Sequence, residues 1–463
     1  MTVIDTGSRD EGDLGEGSTA DHVHGICLKT GPPRRLGVEL EWLVRDVRDP
    51  SWPVPAGRTA AAVAAFDASR HGRPPATAGT GTGVGGPPGA EQCAGPQLPT
   101  SSRPGVLPSG AFLTAEPGGQ LEISSQPADS LAALVRETSA DLAALRSALA
   151  ARGLELAGIG LDPLRPPHRV LDLPRYAAME AFFDAGGPWG RQMMGSTASV
   201  QVCLDAGDES DGPSGYRWRW RLLHALGPVL VAAFANSPLR DGKPTGWVSS
   251  RQQVWSQMDP GRTRAPRLDG DPRDAWARYA LDAQLMCIRG LDSENWSAPP
   301  GLTLRDWVRD KSLRPPTADD VDYHLSTLFP PVRPRGHFEL RMIDAQPGDG
   351  WIVPLAVCCA LLSDAVASQA ALAAVSPLWG GQPPGWTADP AAGLDDGPWL
   401  RAARIGPADP ATGRASRACF AAARAALDRM AVPAAITAAV DTFTDQYVST
   451  DRCPADDLLE EAK

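Results

Sequence analysis

The sequence has no CxxC pair, no apolar run near the ~20 residues that span a bilayer, and no excess of positive charge. Each absence excludes a class of protein. Without paired cysteine motifs, the eight scattered cysteines read as reduced thiols, not as a disulfide framework or a zinc ribbon. The longest apolar stretches, around VLVAAFA and LAVCCALL, are too short to span a membrane. The opening MTVIDTGSRDEGDLGEGSTADHVHG is acidic and lacks the apolar centre of a secretory leader, so the expected location is the cytoplasm. A net charge of −11 argues against nucleic acid or an anionic membrane as the main partner. The Gly-rich GTGTGVGG lacks the Lys-Ser/Thr of a phosphate loop. No internal repeat is visible.

The 463 residues, 43% of them hydrophobic, suffice for a large packed core. Residues 1–20 are rich in Gly, Asp, Glu and Ser and are expected to form a disordered tail. Residues 21–450 are expected to form one domain, with a flexible Gly/Pro-rich insertion at 71–108 and a helical part at 351–450. The segment FLTAEPGGQLEISSQP predicts a strand, a Pro-Gly-Gly turn and a second strand. Leu131, Leu134, Val135, Leu142, Leu145 and Leu149 then recur at helical spacing, with Asp129 or Ser130 as cap and Gly153 as terminator. Strands early in the chain and helices later predict an α+β fold on an antiparallel sheet.

Four strand-like segments share an oddity. In GVELEWLV, Glu39 and Glu41 fall on one face; GGQLEIS adds Gln120 and Glu122, SVQVCLD adds Ser199, Gln201 and Cys203, and GHFELRMID adds His337, Glu339 and Arg341. The opposite faces are apolar. Any one strand is the wet face of an ordinary sheet. Together with Glu116, however, they present five glutamates with few matching lysines. Crowded carboxylates repel unless a cation lies among them, and carboxylate oxygens suit Mg²⁺ or Mn²⁺. Arg341 on the same face would neutralise charge on a transferring phosphoryl group. His22, His24 and Cys27 lack a fourth zinc ligand, Cys358 and Cys359 read as core thiols, and Cys203 has no base nearby in sequence.

These segments, together with KTGPPRRLGVELEWLV, MMGSTASVQVCLDAG and FANSPLRDGKPTGWVSSRQQVWSQMDPGRT, resemble the glutamate–cysteine ligases. The branch is that of the plant enzymes and the actinobacterial ergothioneine-pathway enzymes, and the match runs in family order from about residue 26 to 365. The resemblance implies a glutamine synthetase-like catalytic domain: a curved antiparallel sheet forming a funnel, with helices on its outer face. It implies one Mg²⁺ on Glu41, Glu116 and Glu122, and another on Glu39, Gln201 and Glu339 near the phosphates of ATP. Gln201 stands where the wider superfamily often has His. Arg341 would stabilise the transferring phosphoryl group. Arg251, or else Arg191, would clamp the α-carboxylate of glutamate, and Met194, Thr197 and Trp255 would line the amino-acid pockets. The implied reaction joins the γ-carboxylate of L-glutamate to the amine of L-cysteine through γ-glutamyl phosphate, with ATP as co-substrate and ergothioneine synthesis as its purpose. A different amine acceptor is the alternative, separable only by pocket residues. A non-catalytic relative would have lost the acidic sets, and a metal-dependent hydrolase would release phosphate without an amine. The expected partners are therefore small molecules, with neither nucleic acid nor membrane; the oligomeric state, monomer or weak dimer, is left open.

Overall fold

The computed structural model describes residues 14–70, 107–268, 270–290, 295–310, 313–380 and 397–463. The expected insertion at 71–108 lies almost wholly outside them, as do residues 1–13 of the expected tail. The rest of that tail differs from expectation. A helix runs over Glu16–Cys27, buries Thr19, Val23 and Cys27, and is tied through Glu16 to Arg305 and Arg309. The polar composition of its first turn serves those ion pairs.

A seven-stranded sheet organises the molecule. Its strands are β1 (Leu36–Asp46), β2 (Phe112–Ala115), β3 (Leu121–Ser124), β4 (Leu154–Ala157), β5 (Ser199–Asp205), β8 (Val332–Pro334) and β9 (His337–Asp344). The small strands β6 (Leu239–Arg240) and β7 (Lys243–Pro244) form a separate ribbon. The order is β2-β3-β1-β5-β9-β8, all pairings are antiparallel, and the C-terminal part of β1 also pairs with β4. Register places Glu41 opposite Glu122, Glu39 opposite Gln201, and Cys203 opposite Glu339.

The other face carries Val38, Leu40, Trp42, Ile123, Val200, Val202, Leu204, Phe338 and Leu340, all buried in one core that runs from Val23 to Val448. The helices Leu131–Ala150, Tyr216–Ala233 and Ile352–Ser363 supply residues to that core. Ser130 caps the first of these, its hydroxyl accepting from Ala133 N at 3.2 Å. Cys358 and Cys359 are buried in the last. No single described helix is long and apolar enough to cross a membrane. Ile352–Ser363 and Ala365–Trp379 meet that test only as a pair bent by 104°.

Two local irregularities shape the polar face. In the EPGGQ turn, Gly119 takes φ +85°, a conformation that side chains resist. A Cβ on Gly118 would lie 2.5 Å from the carbonyl oxygen of Gly195, so glycine there lets the helix Trp189–Ser196 close onto the turn. The second is a bulge. Val202 pairs with Leu340 and Val200 with Ile343, so Arg341 and Met342 together oppose Gln201. The carbonyls the bulge frees are taken by the next layer: Arg251 Nη2 donates to Arg341 O at 2.8 Å, and Gln252 Nε2 to Met342 O at 2.9 Å.

Candidate active site

The polar sheet face forms the floor of a cavity of about 450 Å³. Glu39, Glu41, Glu116, Glu122, Gln201 and Arg341 lie on this floor. Met193 and Met194 come from the helix Trp189–Ser196 and Thr197 from its C-cap, Arg175, Tyr176 and Met179 from the helix Pro174–Asp184, and Arg251 and Trp255 from the helix Ser250–Ser256. Gln120 clamps one wall to the floor, its amide donating to Met194 O at 3.2 Å and to Thr197 O at 2.9 Å.

Glu41, Glu116 and Glu122 converge, each offering a carboxylate oxygen within 4.8 Å of the others. Among the described residues this is the one group of three or more His, Cys, Asp or Glu side chains gathered closely enough to hold a metal ion. Two of the three carboxylates are held by hydrogen bonds. Ser199 Oγ and Gln201 Nε2 each donate to Glu41 at 2.9 Å, and Ser124 Oγ donates to Glu122 at 2.9 Å. Burial raises the pKa of all three; for Glu116 and Glu122 the neighbouring carboxylates raise it further, bringing Glu122 to about 6. Burial, then Glu339 and Glu122, push Glu39 up to about 8. Oxygen donors this close, each disfavouring its own ionised form, fit a hard divalent cation.

Glu339 differs. Burial opposes its charge, but Arg333, Arg341 and Arg335 outweigh burial and hold its carboxyl well below the usual range. Arg333 Nη2 reaches both its oxygens, at 2.8 and 3.1 Å, and Arg341 Nη1 bonds both Glu339 and Gln201 Oε1. The expected second set, Glu39, Gln201 and Glu339, therefore shares one sheet face, but here arginine occupies the oxygens of two of its members.

Met194, Thr197 and Trp255 line the cavity. Thr197 spends its hydroxyl proton on Met193 O at 2.6 Å. Arg251 lines it too, 3.8 Å from Asp344 and 5.7 Å from the centre of the Trp255 ring, with Nε and Nη1 free of hydrogen bonds. Arg191 does not. It is half exposed and paired with Asp184 at 2.6 Å and Glu180 at 2.9 Å, so local acids on its own helical hairpin, invisible as partners in the sequence, claim it. Sequence reasoning missed Arg333 and Arg335, although their alternate spacing ahead of Glu339 and Arg341 is a signal. It also missed Arg175, whose partner Ser326 is 151 residues away. Cys203 stands on the polar face, but burial raises its thiol well above the ordinary value, the opposite of a reactive thiolate. His22 and His24 pair with Asp322 and Asp274, and Cys27 is buried in the core, so the three do not converge.

Carboxylates crowded on a sheet face, with arginine beside them and an apolar wall above, make this cavity the candidate active site of an enzyme. Residues 35–462 match Glutamate-cysteine ligase family 2 (GCS2), and the chain belongs to that family. It is similar to the glutamate–cysteine ligase EgtA of Mycobacterium tuberculosis, at 42% identity over 361 residues that cover 76% of this chain and 77% of that one. The chloroplastic glutamate–cysteine ligase of Medicago truncatula is 32% identical over 244 residues, 51% of this chain and 47% of that one. A solved bifunctional glutathione synthetase from Pasteurella multocida superposes with a TM-score of 0.49 at 12% identity, covering 97% of this chain and 51% of that chain.

Proposed function

We propose that the protein joins the γ-carboxylate of L-glutamate to the amine of L-cysteine with ATP as co-substrate, giving γ-glutamylcysteine, ADP and phosphate, for ergothioneine biosynthesis. The reading rests on the family and on one observation above all: Glu41, Glu116 and Glu122 gathered within 4.8 Å on the floor of a cavity that also holds Arg341. The sheet is read as the curved funnel of a glutamine synthetase-like domain, its acidic face inward. Glu41, Glu116 and Glu122 would hold one Mg²⁺ or Mn²⁺; a second on Glu39, Gln201 and Glu339 would require Arg333 and Arg341 to give up the oxygens of Glu339 and Gln201. Such cations neutralise phosphate oxygens and orient them for transfer.

The chain's own groups do the rest. Arg341, held by Glu339 and Gln201, presents a fixed positive charge on the cavity floor and stabilises charge developing on the transferring phosphoryl group. The γ-carboxylate oxygen of glutamate attacks the γ-phosphorus of ATP and ADP leaves. The neutral amine of cysteine then attacks the acyl carbon and phosphate departs. An ionised carboxylate of this face would accept the proton this amine releases. The apolar wall of Met179, Met193, Met194, Trp255 and Phe329 keeps water from the acyl phosphate. ATP as co-substrate and the free thiols fit a cytoplasmic setting.

The test is phosphate release from Mg-ATP and glutamate across a panel of amines, with products weighed. Phosphate that depends on cysteine and yields the γ-glutamylcysteine mass is the expected result. Release that depends on another amine would replace the acceptor, and release without any amine would replace the reaction.

A further inference from the structure

What holds Arg251 lies behind the cavity lining. Its Nη2 donates to Arg341 O at 2.8 Å, a carbonyl freed by the bulge in β9, and its Nη1 faces Asp344 Oδ1 at 3.8 Å. Asp344 is buried and closes β9. In a regular strand a residue three positions after Arg341 would face the opposite side. The extra residue of the bulge turns Asp344 back: it pairs with Ser199, whose hydroxyl donates to Glu41 on the polar face. Gly160 leaves room for the carboxyl, since a Cβ there would lie 2.5 Å from Asp344 Cγ.

Three donors fix the Asp344 carboxylate. Oδ2 accepts from Asn236 N at 2.9 Å and Ser237 Oγ at 2.7 Å, and Oδ1 from Ser249 Oγ at 3.0 Å. The same two hydroxyls accept from Arg251 N at 3.1 Å and Gln252 N at 3.2 Å, at the opening of the helix Ser250–Ser256. One carboxylate therefore sets both the backbone and the charge of Arg251. That leaves Arg251 Nε and Nη1 buried without a hydrogen bond on a residue that lines the cavity.

We propose that Asp344 is a positioning residue that aims Arg251 at the α-carboxylate of glutamate. The assignment rests on the ligase reading above and on the clamp that the family resemblance gives to Arg251. A guanidinium recognises a carboxylate as a flat fork, so its orientation decides whether two bonds form or one. Asp344 supplies that orientation from outside the cavity, and the bulge that carries Arg341 supplies the second point of hold.

The experiment is a double-mutant cycle on Asp344→Asn, Arg251→Gln and the pair, with kcat and KM taken from phosphate release with Mg-ATP, glutamate and cysteine. Asn keeps the shape of Asp and an oxygen for Asn236 and Ser237, but removes the charge beside Arg251. Asp344→Asn should raise the KM for glutamate at least about tenfold, the size of a lost charged contact, while the KM values for ATP and cysteine stay within about twofold. In the Arg251→Gln background the same change should move the glutamate KM by less than about twofold, because the group it aims is gone. If Asp344→Asn does not fold, Ser249→Ala carries the cycle. It loosens Oδ1, the oxygen nearest Arg251, and should raise the glutamate KM several-fold only where Arg251 is present. Equal effects in both backgrounds, or KM values that rise together for all three substrates, overturn the assignment and leave Asp344 a brace of the fold. A wild type that binds glutamate but releases no phosphate contradicts the ligase reading instead, and the cycle is then closed on the dissociation constant of glutamate. A wild type that does not bind glutamate overturns both.

Discussion

Arg341 sits two residues beyond Glu339 on β9 and shares that carboxylate with Arg333 and Arg335. Replacing Arg341 by Ala therefore leaves Glu339 two cations, so the fold should survive with a melting temperature near that of the wild type. Catalysis should not survive as well: kcat is expected to drop by about 10²–10³, with the KM for glutamate little changed, the pattern of a lost transition-state contact. A rise in KM at constant kcat would make Arg341 a substrate-binding group instead. At this scale the sequence was most legible where alternation sets the outcome. Glu39, Glu41, Glu122, Gln201 and Arg341 all line the cavity, because strand periodicity alone turns them to one side. It was least legible for arginines off the sheet. Arg191 and Arg175 look alike in sequence, yet Asp184 and Glu180 take the first while the second reaches Ser326 across the fold.

The EPGGQ hairpin and the bulged strand β9 carry the site as elements. Their strands were readable from apolar alternation, as was the helix Leu131–Ala150 from its leucine spacing and Ser130 cap. The bulge was not, since nothing in FELRMID marks where an extra residue enters; it emerges from register against β5. The helix Glu16–Cys27 was also missed, because its first turn is polar and its anchors, Arg305 and Arg309, are distant in sequence. The close approach at Gly118 can be tested. Gly118→Ala places a methyl 2.5 Å from Gly195 O, against backbone that cannot swing aside. Overpacking of this kind costs about 1–3 kcal/mol. The melting temperature should fall accordingly, and amino-acid KM values should rise because the wall bearing Met194 and Thr197 is displaced. An unchanged melting temperature would mean that the wall yields.

At the scale of the molecule, one acidic face is set against the main core, and its crowded buried carboxylates cost stability while they are ionised. A carboxyl whose folded pKa lies above its unfolded one stabilises fully below the unfolded value, 4.5 here, and loses that contribution as pH rises through the folded value. Glu122 near 6 and Glu39 near 8 place the loss between about pH 5 and 8. Glu339 works in the opposite sense, its contribution present above 4.5 and lost only in acid, and the buried His224 and His324, lowered to about 4 and 3, likewise lose theirs only below 6.5. The melting temperature of the chelated protein should therefore fall from pH 7 to 8.5, and added Mg²⁺ or Mn²⁺ should raise it more at pH 8.5 than at pH 7. A cation effect that shrinks with rising pH would contradict the assignment. Family and fold class were legible at this scale because the acidic segments keep their order along the chain.

The central claim is that this face transfers a phosphoryl group to the γ-carboxylate of glutamate before the amine attacks. Glutamate labelled with ¹⁸O in its γ-carboxylate tests it directly, with Mg-ATP, cysteine and mass analysis of the phosphate released. The account predicts one ¹⁸O in each phosphate formed alongside γ-glutamylcysteine. γ-Glutamylcysteine accompanied by unlabelled phosphate would show that no γ-glutamyl phosphate forms.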